Sequence, residues 1–215
     1  MNIYFIYLSI LLLTFILIYY GLNFGYKYAP FKIKILSVGA FISLALRYIA
    51  LLIFLINKNI RNMYLLKPII FLNFISIPIL AMISIYIYSR NNKFKFNYCI
   101  IFSIILSIFY IFIIFNFQVN INSIKELGYS MEFINNNLIY GIFLILNTLY
   151  LFSAIVLLGF KNINTIGICL LLISSIVEIF EIIIKICGIG IFPVPIVGDI
   201  FFILCADYAL YKLKK

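Results

Sequence analysis

Uninterrupted apolar runs of about 20 residues recur seven times along this chain and constrain it more than any other feature. They fall at Ile3–Leu22, Ile35–Ile56, Pro68–Tyr88, Tyr98–Phe117, Leu138–Gly159, Thr165–Ile186 and Val194–Tyr211. At about 1.5 Å per residue, each is long enough to cross a hydrocarbon core about 30 Å thick. Only helices and closed barrels satisfy their backbone polar groups in lipid. The runs are continuous and do not alternate with a period of two, which selects helices over barrel strands. The expectation is an all-α fold: a single polytopic transmembrane helix bundle of about seven helices, spanning residues 1–215 with no second domain.

Composition agrees. The 215 residues are 67% hydrophobic and 10% charged, with a mean hydropathy of +1.24. Soluble domains run nearer half apolar and about 25% charged. The net charge of +10 sits in short Lys/Arg clusters between the runs, where it sets topology and meets anionic membrane lipid. A nucleic-acid partner is therefore not expected. The chain has no histidine, and its four cysteines (Cys99, Cys169, Cys187 and Cys205) form no C-x-x-C pair. No metal site and no cofactor are expected, and the commonest general base is missing. The bias toward Ile, Asn, Lys, Phe and Tyr points to an AT-rich, bacterial genome and hence to the cell membrane.

Charge also predicts orientation. Lys27, Lys32 and Lys34, then Arg90, Lys93 and Lys95, then Lys161, and finally Lys212, Lys214 and Lys215 share one side. Lys58, Arg61 and Lys67, with Lys125 and Lys185, fall on the other. The first group is larger, which places the N-terminus outside and the C-terminus in the cytoplasm, although the second loop is itself basic. The longest loop, Phe117 to Asn137, carries Glu126 and Glu132 and suits the outside. The first run lacks a basic lead and an A-x-A-like site, so it reads as a retained helix. Tyrosines at the run ends, such as Tyr19, Tyr20, Tyr86, Tyr88 and Tyr208, fit the interfaces, while Tyr150 reads as a packing residue.

Four of the six acidic residues, Glu178, Glu181, Asp199 and Asp207, lie inside the last two runs. Ionisable groups in hydrocarbon are paired or hydrated, and are functional candidates by default. Glu178, Glu181 and Lys185 fall within about 60° on one helix face, with Glu181 and Lys185 spaced as an i, i+4 ion pair. Pro193 and Pro195 suit the start of the last helix, and Asp199 follows within reach of the Glu178 face. Asp207 lies near Lys212 and the cytoplasmic end. Arg47, deep in the second run, demands an anion, and Glu178 at comparable depth is the first candidate. Asn73 and Asn147 are also read as deep. Arg47, Asn73, Asn147, Glu178, Glu181 and Asp199 are thus the candidate ligand- or ion-binding set. The competing reading makes them buried pairs that fix helix packing. Pro78 is expected to kink the third helix, and Ser174 and Ser175 to bond backbone carbonyls or pack closely.

The last run, GDIFFILCADYALYKL, resembles the closing helix of seven-helix membrane modules that precede histidine kinase or GGDEF domains in bacterial sensors. The resemblance rests on Asp199 followed by Phe201 and Phe202. It implies a sensor-like module; with no effector domain after Lys215, that module would act through a separate protein partner. Lysoplasmalogenase-like enzymes are set aside, because Lys67-Pro68 and Gly198-Asp199 do not follow that family's order and its histidine is missing. SWEET sugar transporters match the helix count but not the Pro-Gln motif. The leading expectation is a non-enzymatic sensor-like or accessory module with an intramembrane polar site. A small-solute or ion transporter is the alternative. An enzyme acting on lipid comes third, since no nucleophile or metal motif accompanies the carboxylates.

Overall fold

A computed structural model describes residues 3–56, 60–89, 95–124, 127–160, 163–189 and 192–214. Lys58, Arg90, Lys93, Lys125, Glu126, Lys161 and Lys215, used above for orientation, lie outside the described residues. The first two helices, α1 (Ile3–Tyr28) and α2 (Phe31–Ile56), meet at Ala29 and Pro30. Helix α1 runs six residues past the expected Leu22 end. Gly21 and Gly25, one turn apart, let it approach its neighbours: a Cβ on Gly21 would stand 2.3 Å from the Phe41 ring, and one on Gly25 3.1 Å from Ser37 Oγ. Small residues of this kind are what bring helix backbones together in lipid.

The third span is broken. It comprises α3 (Ile60–Met63), a 3₁₀ turn (Tyr64–Leu66), α4 (Lys67–Ile70) and α5 (Asn73–Ser89). Lys67 Nζ donates to the carbonyls of Ile114 (2.6 Å) and Phe117 (2.7 Å) at the end of α6 (Asn97–Asn116), giving partners to groups every helix terminus leaves open. The Tyr110 hydroxyl donates to the Pro68 carbonyl, so α6 is tied to this break at two levels.

Between α6 and α7 (Asn136–Leu158) the longest loop contains an antiparallel hairpin. Strands β1 (Val119–Ile124) and β2 (Gly128–Phe133) pair from Val119↔Phe133 to Ile124↔Gly128. The inner face of β2 buries Met131 and Phe133, and the Phe133 ring stacks on Phe71 with centroids 4.1 Å apart. Gly128 has φ +75°, and a Cβ there would meet the Phe54 carbonyl at 2.5 Å. Left-handed strain and backbone crowding therefore act together. Replacing Gly128 by Ala is expected to lower stability by about 2–3 kcal/mol in detergent unfolding. An unchanged melting temperature would mean that the hairpin does not seat on α2.

Helix α8 (Thr165–Ile186) has the expected bounds, and α9 (Val197–Tyr211) begins three residues later than expected. Six stretches are long and apolar enough to cross a membrane: α1, α2, the composite Ile60–Ser89, α6, α7 and α8. This is an integral membrane protein. Their outer faces carry bare Leu12, Ile16, Ile108, Phe115, Leu149 and Phe152, the surface a lipid solvent tolerates. Helix α9 is the exception. Its 15 residues span roughly 22 Å, and it sits among α1, α5 and α8. Gly198, Asp199, Phe202, Ile203, Cys205, Ala206, Asp207, Ala209 and Leu210 are buried along it. A helix enclosed by others need not match the hydrocarbon thickness.

Candidate intramembrane polar site

The site is built around the entry to α9. Ile196, which precedes the helix, offers no side-chain cap, and four N–H groups open every helix start. Glu181 of α8 supplies the acceptor. Its Oε1 accepts from the N–H groups of Ile196 (2.8 Å) and Val197 (3.2 Å), and its Oε2 from Gly198 (2.7 Å). A carboxylate at a helix N-terminus also meets the positive end of the dipole. Lys185, expected to pair with Glu181, instead bonds the Pro193 carbonyl at 3.0 Å and Glu132 of β2. Glu181 is drawn away because three backbone donors outweigh one ammonium.

Arg47 of α2 is 2% exposed. Its Nε donates to the Ile70 carbonyl (3.1 Å) and its Nη2 to the Pro195 carbonyl (3.2 Å). Its Nη1 is ion-paired with Asp199 Oδ2, which also accepts from the Tyr48 hydroxyl at 3.2 Å. The guanidinium therefore joins α2, the break before α5, the lead-in to α9 and α9 itself. The partner is Asp199 and not Glu178. The late start of α9 puts Asp199 in its first turn, level with Arg47.

Glu178 is turned toward the α9 backbone. It is 0% exposed, and neither carboxyl oxygen has a hydrogen-bond partner among the described residues. A Cβ on Gly198 would fall 1.7 Å from Glu178 Oε2, so the carboxyl lies directly on that glycine. Asp199 Oδ1, Asn147 Oδ1 and Asp207 Oδ1 are likewise buried and unpartnered. Asn147 bonds its own helix, at the Phe143 carbonyl, 2.9 Å away. Asn73 lies at the first turn of α5, at the break and not mid-helix, and is buried. Among the described residues no hydrogen bond joins Asn73 or Asn147 to the Arg47–Asp199 pair. The structure thus gathers Arg47, Glu178, Glu181 and Asp199, and leaves the two asparagines at its margin.

Two tyrosines escaped the sequence reading. Tyr48 holds Asp199, and buried Tyr140 of α7 lies within electrostatic reach of Arg47, Glu178, Glu181 and Glu132. The adjacency of Tyr48 to Arg47 was a usable signal; nothing local marks Tyr140. A groove of ≈ 300 Å³ flanks the site, lined mainly by Phe180, Ile184, Phe192 and Val194, with Glu181 and Lys185 on its wall. Among the described residues no group of three or more His, Cys, Asp or Glu side chains is arranged to hold a metal ion.

No family model matches the chain, and neither a curated protein nor a solved structure does. The chemistry of the site must be argued from its own atoms. One guanidinium faces three carboxyl groups. Asp199 neutralises Arg47, Glu181 is compensated by three N–H groups and a helix dipole, and Glu178 has neither. An unpaired carboxylate in a dry interior costs several kcal/mol. The carboxyl packs on the Gly198 backbone with no room for a Cβ between them.

Proposed function

We propose that this is a non-enzymatic membrane protein that binds a proton or a small monovalent cation at the Glu178 carboxyl. The observation that carries the reading is that carboxyl: fully buried, with neither oxygen reached by a donor among the described residues. Arg47, Asp199 and Glu181 form the frame that holds α9 against it. In a sensor-like or accessory module, filling or emptying Glu178 shifts α9 against α8, and a separate partner protein reads the shift. In a transporter the same event is one step of passage. Lipid chemistry is disfavoured because the hydroxyls near the carboxyls, those of Tyr48, Ser174 and Ser175, are fully buried.

Two measurements on the purified protein test this. Infrared spectra of wild type should contain a neutral-carboxyl stretching band that Glu178→Gln removes. If a cation occupies the site instead, sodium, potassium or lithium should raise the melting temperature of wild type but not of Glu178→Gln, because a ligand that binds only the folded state stabilises it. A protein showing neither behaviour does not bind at Glu178. Glu178→Gln itself should fold, with stability within about 1 kcal/mol of wild type, because the amide preserves shape and removes the charge question.

A further inference from the structure

We infer that the end of the bundle away from the hairpin is a binding site for the headgroup of an anionic phospholipid. Helix α2 meets the hairpin at Phe54 and Leu55, so its first turn marks that opposite end. Lysines from both ends of the chain gather there. Lys27 lies in the last turn of α1, Lys32 and Lys34 in the first turn of α2, and Lys212 and Lys214 just after α9. Four of them are exposed and Lys34 is half-buried. The fold brings the segments together: the rings of Phe24 on α1 and Tyr211 on α9 have centroids 5.6 Å apart. Tyr28 meets two ammonium groups, Lys27 at 5.6 Å and Lys214 at 5.9 Å from its ring centroid. Lys214 also lies 5.8 Å from the Tyr211 ring, Lys212 5.3 Å from Tyr208 and Lys34 4.7 Å from Tyr26. Aromatic faces attract cations, so the rings position the lysines without cancelling their charge.

An anion is what the group lacks. Among the described residues no carboxylate forms an ion pair with any of the five lysines. Arg47, Lys67 and Lys185, by contrast, each donate to oxygens of the protein. Asp207 is 7% exposed, and its Oδ1 lies 2.5 Å from where a Cβ on Gly21 would stand. It is turned into the bundle and does not pair with Lys212, beside which the sequence puts it. Helix dipoles account for only part of the cluster. A cation suits a helix C-terminus, as at Lys27 and Lys212, but the first turn of α2 disfavours Lys32 and Lys34 and holds no acid. A topology signal needs only a count of charges on one side; it does not require opposite ends of the chain to share one ring. The surroundings decide what the anion belongs to. Tyr26 is 72% and Phe31 75% exposed, and Tyr20 and Ile35 are exposed too. A soluble phosphate or a nucleic acid gains nothing from bare apolar side chains. A phospholipid covers them with its acyl chains and sets its phosphate among the ammonium groups, the partner that lysine clusters at membrane-helix ends suit. Its phosphate then ties the α1–α2 turn to the tail of α9, the end of that helix opposite the Arg47 and Glu181 anchors. This site does not rest on the Glu178 reading.

The test follows the melting temperature of the full chain in an uncharged detergent, which rises when a ligand binds only the folded state. Dioctanoyl phosphatidylglycerol should raise it saturably, while dioctanoyl phosphatidylcholine and glycerol phosphate should not. The variant Lys32→Gln/Lys212→Gln/Lys214→Gln should keep the lipid-free melting temperature. It should need about 100-fold more phosphatidylglycerol for the half-maximal rise. Tyr28→Leu keeps every charge and should need about five-fold more. A wild-type response in the triple variant overturns the site, as does an equal rise with phosphatidylcholine or with glycerol phosphate. A wild-type response in Tyr28→Leu also sinks it, since diffuse attraction between charges would then suffice. If the triple variant does not fold, Lys214→Gln alone decides, and an unchanged half-maximal concentration there overturns the site.

Discussion

Arg47→Ala is expected to destabilise the protein by about 3–5 kcal/mol, the range for removing one partner of a buried ion pair. The loss is large because Asp199, 0% exposed, keeps one neutral hydroxyl donor and no cation. The Ile70 and Pro195 carbonyls lose their donors in the same step. Total stabilities of about 5–15 kcal/mol leave little margin for this. Arg47→Lys should rescue only part, since one ammonium cannot reach three acceptors set at different angles around a planar fork. The deciding measurement is a double-mutant cycle in detergent unfolding. Arg47→Ala combined with Asp199→Ala should be harmed less than the sum of the singles, because the second change removes the stranded charge. Additive losses would mean that the two side chains do not depend on each other.

The spans were legible because lipid imposes a length and a hydropathy that no packing detail can disguise. The α8 bounds coincide with a run flanked by Asn164, which accepts from the Gly167 N–H, and by Gly188 at φ +76°. The hairpin was not legible. VNINSI alternates weakly and sits beside polar residues, and its pairing partner only becomes apparent once Gly128 packs on the end of α2. Asn73 is buried, but an apolar run conceals that it opens α5 at the break of Phe71 and Leu72. The charged cluster was visible, yet its pairing was not. Helical spacing puts Glu181 beside Lys185, but spacing within one helix carries no information about the three open N–H groups at the start of the next. The same ignorance hid the choice between Glu178 and Asp199 for Arg47. That choice turns on where α9 starts, and three residues of lead-in, Val194 to Ile196, decide it.

The acids of the last two helices therefore divide by whether the fold satisfies them. Asp199 and Glu181 hold α9 in place from two sides, one through a guanidinium and one through backbone donors. Glu178 alone of the four has both oxygens buried with no donor among the described residues, while Asp199 and Asp207 each keep one such oxygen. Sequence alone gives all four the same standing, as carboxylates in apolar runs. Burial together with hydrogen bonding separates anchors from exchangeable groups, and the two classes should respond oppositely to removal of charge. Neutralising an anchor loosens α9, whereas neutralising Glu178 leaves the fold intact and abolishes its binding.

Gly198→Ala should be the most damaging single-carbon change in the chain, with an expected loss of about 3 kcal/mol or more. The new Cβ would lie 1.7 Å from Glu178 Oε2 and 2.7 Å from both Glu178 Cδ and Cα. A rotamer change clears the first contact but not the last, which is backbone. Helices α8 and α9 must then separate. Separation stretches the Gly198 N–H to Glu181 bond, now 2.7 Å, and moves the next residue, Asp199, off Arg47. One methyl group thus strikes both anchors of α9. Truncating the opposing side chain tells backbone crowding from carboxyl crowding. Glu178→Ala added to Gly198→Ala should recover little stability in detergent unfolding, because the Cα remains in the way. Full recovery would show instead that the carboxyl alone fills the gap, and that α8 and α9 have room to accept a larger ligand there than a proton or bare ion.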